Sequence, residues 1–410
     1  MTGATSTRDC SLHRLLVVMP GITNDGGAEQ SFLSMVPGFI AKGIEVHLVV
    51  LTDRQGPVTL LEREGVVVHD LSRHRSFAGR ARAIRKLVRG LRPDLVHASL
   101  YEATLPAQIA VVGTGTPVLV SWTITSYSQE HFTELGMSRW KLRIVQVLDG
   151  LAGRVSRTRY HAVTAGVARV NATSLRVDPS RVQIGERGRE WERYAPCTFG
   201  SSPVLSDVPA GAKLVLTIGR QDPAKGHETL LEAFDQVVER VPEAFLLVAG
   251  RPGPATPALQ LRVAALRHAD RVRFIGARLD VPELLAAADV VVCSSWREGA
   301  AGALIEAMAA GTPIVSVDLV GLEGVLVNRR NAIVVQRAEL ADGIVSLLRS
   351  PELAIQIAEG GRETFAERFT LERSVARMIE IFESSISSPE ERERALTGAR
   401  AQGRRPPSRD

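Results

Sequence analysis

SSWREGAAGALIEAMAAG, residues Ser294–Gly311, is the stretch on which the reading of this chain turns. Directly before it, Asp289-Val290-Val291-Val292-Cys293 is an apolar run of strand length. Directly after it, Thr312-Pro313 breaks the chain and Ile314-Val315-Ser316-Val317 begins another such run. In between, a small-residue turn leads into a helix whose apolar positions are Leu304, Ile305, Ala307 and Met308. Glu298 stands before the helix start and Glu306 inside it, about two helical turns on, while Gly299 and Gly302 leave the backbone open to close approach. A helix N-terminus offers unpaired N–H groups and the positive end of a dipole, which suits an anion or a hydroxyl-rich ligand. The carboxyl end of a strand is where open α/β sheets bind ligands. The plain alternative is a crossover carrying two solvated glutamates.

The same alternation runs outward in both directions. Apolar runs at 15–19, 46–51, 66–68, 95–98, 117–122 and 160–164 read as strands, with helical patterns at about 29–42, 77–89, 104–112, 138–155 and 165–174. The rhythm lapses across 184–208, which opens with the polar run Gly185-Glu186-Arg187-Gly188-Arg189-Glu190 and carries Pro196 and Pro203. It then resumes, with strands expected at 213–218, 245–249, 272–274, 290–293, 314–317 and 332–335. Helices are expected at 227–238, 257–266 and 281–287, then after the quoted stretch at 338–348, 353–360 and 371–385. Strands alternating with helices mean βαβ units and parallel sheets. The expected class is α/β, with two Rossmann-like doubly wound domains facing a cleft. The expected boundaries are 1–13 disordered, 14–190 first domain, 191–212 linker, 213–370 second domain, 371–387 a helix returning to the first domain, and 388–410 a disordered tail.

Composition narrows the partners. The hydrophobic fraction of 45% and charged fraction of 23% allow a large core without staples. Cys10, Cys197 and Cys293 are too scattered to be a metal set or disulfide framework, which points to a reducing, cytoplasmic setting. The first residues lack the apolar centre of a signal peptide, and no run approaches the ~18 apolar residues of a membrane span. A net charge of +5 favours anionic partners without choosing among them. Nucleic acid is not expected, because only 5% of residues are aromatic and there is no stacking platform. Ala81–Leu91 places Ile84, Leu87, Val88 and Leu91 on one face with arginines and Lys86 around it. It is either an ordinary outer helix or a peripheral contact with the inner, anionic face of a membrane.

Several loops of the second half converge. Gly219-Arg220, Gly250-Arg251, Gly276-Ala277-Arg278 and Glu298-Gly299 all follow strands and so gather at one sheet edge. In Gly219-Arg220-Gln221-Asp222-Pro223-Ala224-Lys225-Gly226, Arg220 and Lys225 share a strand-to-helix turn. Two fixed cations there would stabilise charge on a departing diphosphate. It is not a Walker A loop, since lysine precedes glycine and no Ser or Thr follows. A solvated turn is the competing reading.

GRQDPAKG together with REGAAGALIEAMAAGTPIV resembles the retaining GT-B glycosyltransferases of family 4. GGAEQSFLSMVPGFIAKGIEVHLVVLT and RPDLVHASLYEA in the first half look like that family's glycine loop, first helix and second strand, and its fourth strand. The resemblance implies a glycosyltransferase of cell-surface polysaccharide or glycoconjugate synthesis. It would use a nucleotide-sugar donor, a glycan, lipid-linked or small-molecule acceptor, and no metal or other cofactor. The second domain would take the donor and the first the acceptor. By resemblance Arg220 and Lys225 hold the diphosphate, Glu298 the sugar hydroxyls and Glu306 the ribose. Gly26, Gly27, Gly219, Arg251, Gly276, Gly299, Ala301, Gly302 and Ala303 complete the donor site. His97, Glu102, Thr123 and Arg187 are candidates for the acceptor side of the cleft, although a lone histidine at a strand end is more often structural, the competing reading for His97. Three positions depart from the family pattern: Ala300-Ala301 after Glu-Gly, Thr123 where a histidine is common, and Glu186-Arg187-Gly188 at the linker. They leave open a nucleotide-sugar-binding protein without transferase activity, or a GT-B-type epimerase.

Overall fold

A computed structural model of the chain describes residues 11–22, 27–52, 58–127, 138–194 and 202–386. Gly26, Cys10, Cys197, the first ten residues and the tail from 387 lie outside the described residues.

The first sheet is built from β1 (Arg14–Met19), β2 (Glu45–Val50), β3 (Val67–Asp70), β4 (Leu95–Ser99), β5 (Val118–Trp122), β6 (Arg159–Ala162) and β7 (Val182–Ile184), in the order β3-β2-β1-β4-β5-β6-β7. Every pair is parallel. Its helices are α1 (Gly27–Leu33), α2 (Val36–Ala41), α3 (Val58–Arg63), α4 (Phe77–Leu91), α5 (Tyr101–Val111), α6 (Arg139–Val155) and α7 (Ala165–Leu175). The second sheet comprises β8 (Lys213–Ile218), β9 (Ala244–Ala249), β10 (Val272–Gly276), β11 (Val290–Cys293), β12 (Ile314–Val317) and β13 (Ile333–Val335). Its order, β10-β9-β8-β11-β12-β13, repeats that of the first, again with parallel pairs. With it go α8 (His227–Arg240), α9 (Thr256–Ala264), α10 (Val281–Ala287), α11 (Gly302–Ala310), α12 (Leu340–Arg349), α13 (Pro351–Arg368) and α14 (Leu371–Ile386). In each sheet the strand order reverses between the first and fourth strands, and a crevice opens beyond their carboxyl ends.

Both faces of the first sheet are covered. One face packs Phe32, Phe39, Met378 and Phe382, the other Ile84, Val88, Trp122 and Tyr160. Strands buried on both faces explain why the sequence shows unbroken apolar runs there rather than alternation. Although it follows the second domain, α14 lies on the first: Val375, Met378, Ile381 and Phe382 join its core, and Phe382 meets Phe39 edge-on at 5.5 Å. The two chain crossings are bonded to each other. Arg189 N–H donates to the Phe369 carbonyl (2.9 Å), Leu371 N–H donates to the Arg189 carbonyl (3.0 Å), and Arg368 pairs with Glu186.

Three expectations change. The single helix expected over 29–42 is two, because Pro37 sits in the first turn of α2 and has no N–H for the Leu33 carbonyl. A seventh strand, β7, not among the six expected in the first half, lies at Val182–Ile184, directly before the chain leaves the first domain. The helix expected to end at Gly360 runs to Arg368. Gly360 is a packing contact rather than a stop, since a Cβ there would come 2.0 Å from the Arg330 carbonyl.

The basic helix is also corrected as a membrane element. In α4, Ala81, Ile84 and Val88 are buried, and Leu87 and Leu91 pack against the same core. The apolar face that a bilayer would need is already covered by the first domain.

Candidate active site

The loops after β8 and β11 form one structure. Trp296 N–H donates to the Ala224 carbonyl (2.8 Å), and Ser294 Oγ donates to the Lys225 carbonyl (3.0 Å). Gly226 has φ +61, and a Cβ there would lie 2.1 Å from the Ser294 carbonyl, so only glycine admits this approach. Arg337, beyond β13, stacks 3.7 Å over the Trp296 ring and donates to the Ser294 and Ser295 carbonyls at 2.7 and 2.8 Å.

Lys225 and Glu298 meet at the centre. Lys225 Nζ donates to Glu298 Oε1 at 2.7 Å, and Ser295 Oγ donates to the same oxygen at 2.6 Å. Burial works against the Lys225 charge, but the Glu298 carboxylate outweighs it by attraction and hydrogen bonding, holding the ammonium above its usual range. Thr217, Cys293, Ser295 and the N-terminus of α11 line the recess around the pair. Ala301 caps that helix in the left-handed region, φ 43, a strained conformation for alanine that opens the backbone N–H groups toward the recess. His227, the first residue of α8, also lines it and is buried; burial pushes its imidazole below the ordinary range. Burial likewise raises the Cys293 thiol, with the nearby Glu298 charge adding to the shift.

The other donor-side glycines crowd the same edge. Gly219 N–H donates to the Ala249 carbonyl (2.9 Å) and Gly250 N–H to the Gly276 carbonyl (2.7 Å), tying the ends of β8, β9 and β10 together. Gly276 has φ +67 with open space where a Cβ would be. Arg220 and Arg251 are exposed at this edge, with Arg220 paired to Asp222. Gly27 begins α1 with open space around it.

The opposing domain comes close. A Cβ on Gly299 would lie 1.7 Å from the Thr123 carbonyl, and one on Gly166 1.7 Å from the Val320 carbonyl. Thr164 Oγ1 donates to the Gly321 carbonyl at 2.8 Å. Gly321 in turn backs onto the Glu298 carbonyl, 1.9 Å from where its Cβ would be. Thr123 is therefore in the cleft, 6% exposed, with its Oγ1 unpartnered.

Four placements differ from the sequence reading. Glu306 lies one turn into α11, not two turns beyond the loop, because the helix starts only at Gly302. Its partner is Arg189, whose Nε donates to Glu306 Oε1 at 2.8 Å and whose Nη1 donates to Ser31 Oγ at 3.2 Å. Tyr194 stands beside it, its phenol pushed up to about 12 by burial first and then by the Glu306 charge. His97 is not in a cleft loop: it lies within β4, fully buried, stacked on Phe32 at 4.6 Å. Arg187 is likewise inside the first domain, over the Phe32 ring at 5.7 Å, its guanidinium lowered to about 10 by burial and by Arg189, with Glu29 opposing. It is Arg189, two residues on, that spans the cleft. Glu102 is exposed in the first turn of α5 and joins none of these groups. Ser295, His227, Arg189 and Arg337 have no signal in the sequence beyond residue type. Arg337 lies far along the chain from the carbonyls it holds.

Comparison with known proteins gives the family. Residues 206–364 match the family described as glycosyl transferases group 1, and residues 26–184 match a glycosyl transferase 4-like domain. The phosphatidyl-myo-inositol mannosyltransferase of Mycobacterium leprae is 32% identical over 62% of this chain and 71% of its own length. The chain belongs to the group 1 glycosyltransferases. A lipopolysaccharide core biosynthesis glycosyltransferase of Rhizobium meliloti is 33% identical over 40% of this chain, which spans only 48% of that relative. A D-inositol 3-phosphate glycosyltransferase of Corynebacterium efficiens is 25% identical over 92% of this chain and 95% of its own length. Among solved structures, Anabaena HepE in complex with UDP superposes with a TM-score of 0.73 at 20% identity, covering 90% of this chain and all of HepE. WaaG, a glycosyltransferase involved in lipopolysaccharide biosynthesis, gives a TM-score of 0.69 at 17% identity, covering 90% of this chain and 99% of WaaG. At those identities the likeness is one of fold: two facing parallel-sheet domains, the GT-B arrangement. Among the described residues no helix is long and apolar enough to cross a membrane.

Proposed function

We propose that this group 1 glycosyltransferase moves a glycosyl group from a nucleoside-diphosphate sugar on the second domain to an acceptor on the first, with retention of anomeric configuration. The observation that carries the reading is the Lys225–Glu298 pair at the carboxyl edge of the second sheet, beside the N-terminus of Gly302–Ala310. In this reading Lys225, Arg220 and the helix N-terminus meet the negative charge that builds on the departing diphosphate, so no metal is required. Glu298, already oriented by Ser295 and Lys225, accepts from the sugar hydroxyls. Glu306 accepts from the ribose diol while Arg189 holds it in place. The approach of Thr123 to Gly299 and of Gly166 to Val320 would keep water from the reacting carbon.

The names of similar proteins support a nucleotide-sugar donor and a glycoconjugate product. HepE is described in complex with UDP-glucose, and the mannosyl- and lipopolysaccharide-core transferases act in lipid-linked or polysaccharide synthesis by name. For this chain the reading is a glycan, lipid-linked or small-molecule acceptor, the last supported by the relative named for D-inositol 3-phosphate. The test is a thermal-shift screen with UDP-, GDP-, ADP- and dTDP-sugars, followed by transfer assays with the donor that stabilises most, since a bound ligand raises stability by mass action. One donor should stand out and its sugar should pass to an acceptor. Tight binding with no transfer to any acceptor, or interconversion of the donor without one, would sink the proposal.

A further inference from the structure

The helix α6 is built inside out. Its inward edge is Leu142, Asp149, Gly150 and Gly153, small or polar apart from the leucine. The two glycines let it lie close: a Cβ on Gly150 would come 3.1 Å from the Leu175 carbonyl, and one on Gly153 would come 2.1 Å from the Tyr160 hydroxyl. The apolar side chains point outward instead. Trp140, Ile144, Val147, Leu148, Leu151 and Val155 are between 48% and 65% exposed. At 100° per residue they fall within an arc of about 100°, a stripe about 22 Å long. Among the described residues no other helix carries more than one large apolar side chain this exposed. Single exposed leucines are ordinary, but a contiguous stripe marks a surface that meets something apolar.

We propose that this face of α6 docks on an anionic lipid surface. The charges around the stripe choose the occupant. Arg139, Lys141, Arg143 and Arg154 are exposed along α6, and Asp149, its one acid, is buried in the inward edge. Arg176, at the end of the neighbouring α7, lines the groove beside Arg143 and Arg154. An apolar stripe with a tryptophan, rimmed by arginine and lysine, suits the boundary between acyl chains and anionic headgroups. A second copy of the chain suits it poorly, because a two-fold contact through α6 would bring this basic rim against itself. The surface is distinct from α4, whose apolar face is inside the first domain, and from the donor recess between β8 and β11. It does not depend on which reaction the cleft performs.

Vesicle co-sedimentation of the full chain decides the matter, with phosphatidylcholine vesicles with and without about one-third phosphatidylglycerol, at low and physiological salt. The wild type should partition onto the anionic vesicles, more weakly at the higher salt. Ile144→Asp with Leu148→Asp should lower the partition coefficient at least about tenfold. Both positions are exposed, so the variant should keep the circular dichroism and melting curve of the wild type. A second readout avoids reliance on the double variant: brominated lipid should quench the Trp140 fluorescence, and the quenched component should vanish in Trp140→Phe. Absence of wild-type binding, equal binding by the double variant, or a dimer in light scattering that the double variant abolishes would each overturn the proposal.

Discussion

Lys225 and Glu298 are 73 residues apart in sequence and 2.7 Å apart in space; the carboxylate keeps the ammonium charged and their hydrogen bond positions both. Lys225→Ala removes the cation facing the diphosphate and leaves Glu298 near the phosphates without its counter-charge. Turnover is expected to fall about 10²-fold or more, as for removal of a group that stabilises transition-state charge. Glu298→Gln keeps the shape and should show a comparable kcat loss. Near-normal turnover in both would remove these residues from the active site. A second chain of groups lies under the cleft. His97 Nε2 and His161 Nδ1 both reach Ser121 Oγ at 2.7 Å, and His161 Nε2 reaches the Gly185 carbonyl at 2.7 Å. Burial followed by Arg187 lowers both rings, His161 to about 3, so both are neutral. Gly185 offers only a carbonyl, so neutral His161 donates to it from Nε2 and accepts at Nδ1 from Ser121, whose oxygen accepts from His97. A depressed imidazole contributes stability that is present above its unfolded value of about 6.5 and is lost as pH falls toward the folded value. Urea unfolding of wild type should weaken from about pH 6.5 downward. His161→Asn should shallow that slope by up to about 1.4 kcal/mol per pH unit. An identical slope in the variant would show that His161 is not held neutral.

At the scale of elements, the glycines turn out to have separate purposes. Gly226 and Gly299 let loops touch carbonyls, Gly153 seats a helix, and Gly360 packs inside one. Composition cannot separate these uses, since each depends on what stands opposite. Gly166, like Gly299, faces a carbonyl of the other domain, but it lies on the first domain and outside the donor recess. Gly166→Ala would drive its Cβ into the Val320 carbonyl and hold the domains apart without touching the loops after β8 and β11. Turnover is expected to drop at least about tenfold through lost alignment. Nucleotide affinity measured by calorimetry should stay within about threefold if the donor rests on the second domain, and an equal loss in both would refute that division. The helices show the same division of information. The sequence pattern locates α10 to the residue, but for α6 it gives only a helix over about 138–155, because periodicity does not say which side of a helix faces in.

For the whole molecule, the last helix fastens the architecture. Phe382 sits fully buried against Phe39, some 340 residues earlier in the chain, so the first domain is completed only after the second has been made. Phe382→Ala should cost about 3–5 kcal/mol, as for large buried aromatic truncations, and the cost should appear in the first domain's unfolding transition. If only the second domain's transition moved, α14 would not be part of the first core. The sequence by itself determined the repeated βαβ rhythm, most strand positions, the glycine and cation turns, and the family to which they belong. These rest on local spacing, which any stretch of chain carries within itself. Only the tertiary structure decided that Lys225 pairs with Glu298, that Arg189 rather than Arg187 crosses to Glu306, that His97 is interior, and that α4 is covered while α6 is bare. Each of those depends on which face of an element meets which distant partner, and that is fixed by the packing of whole sheets and helices rather than by any local run of residues.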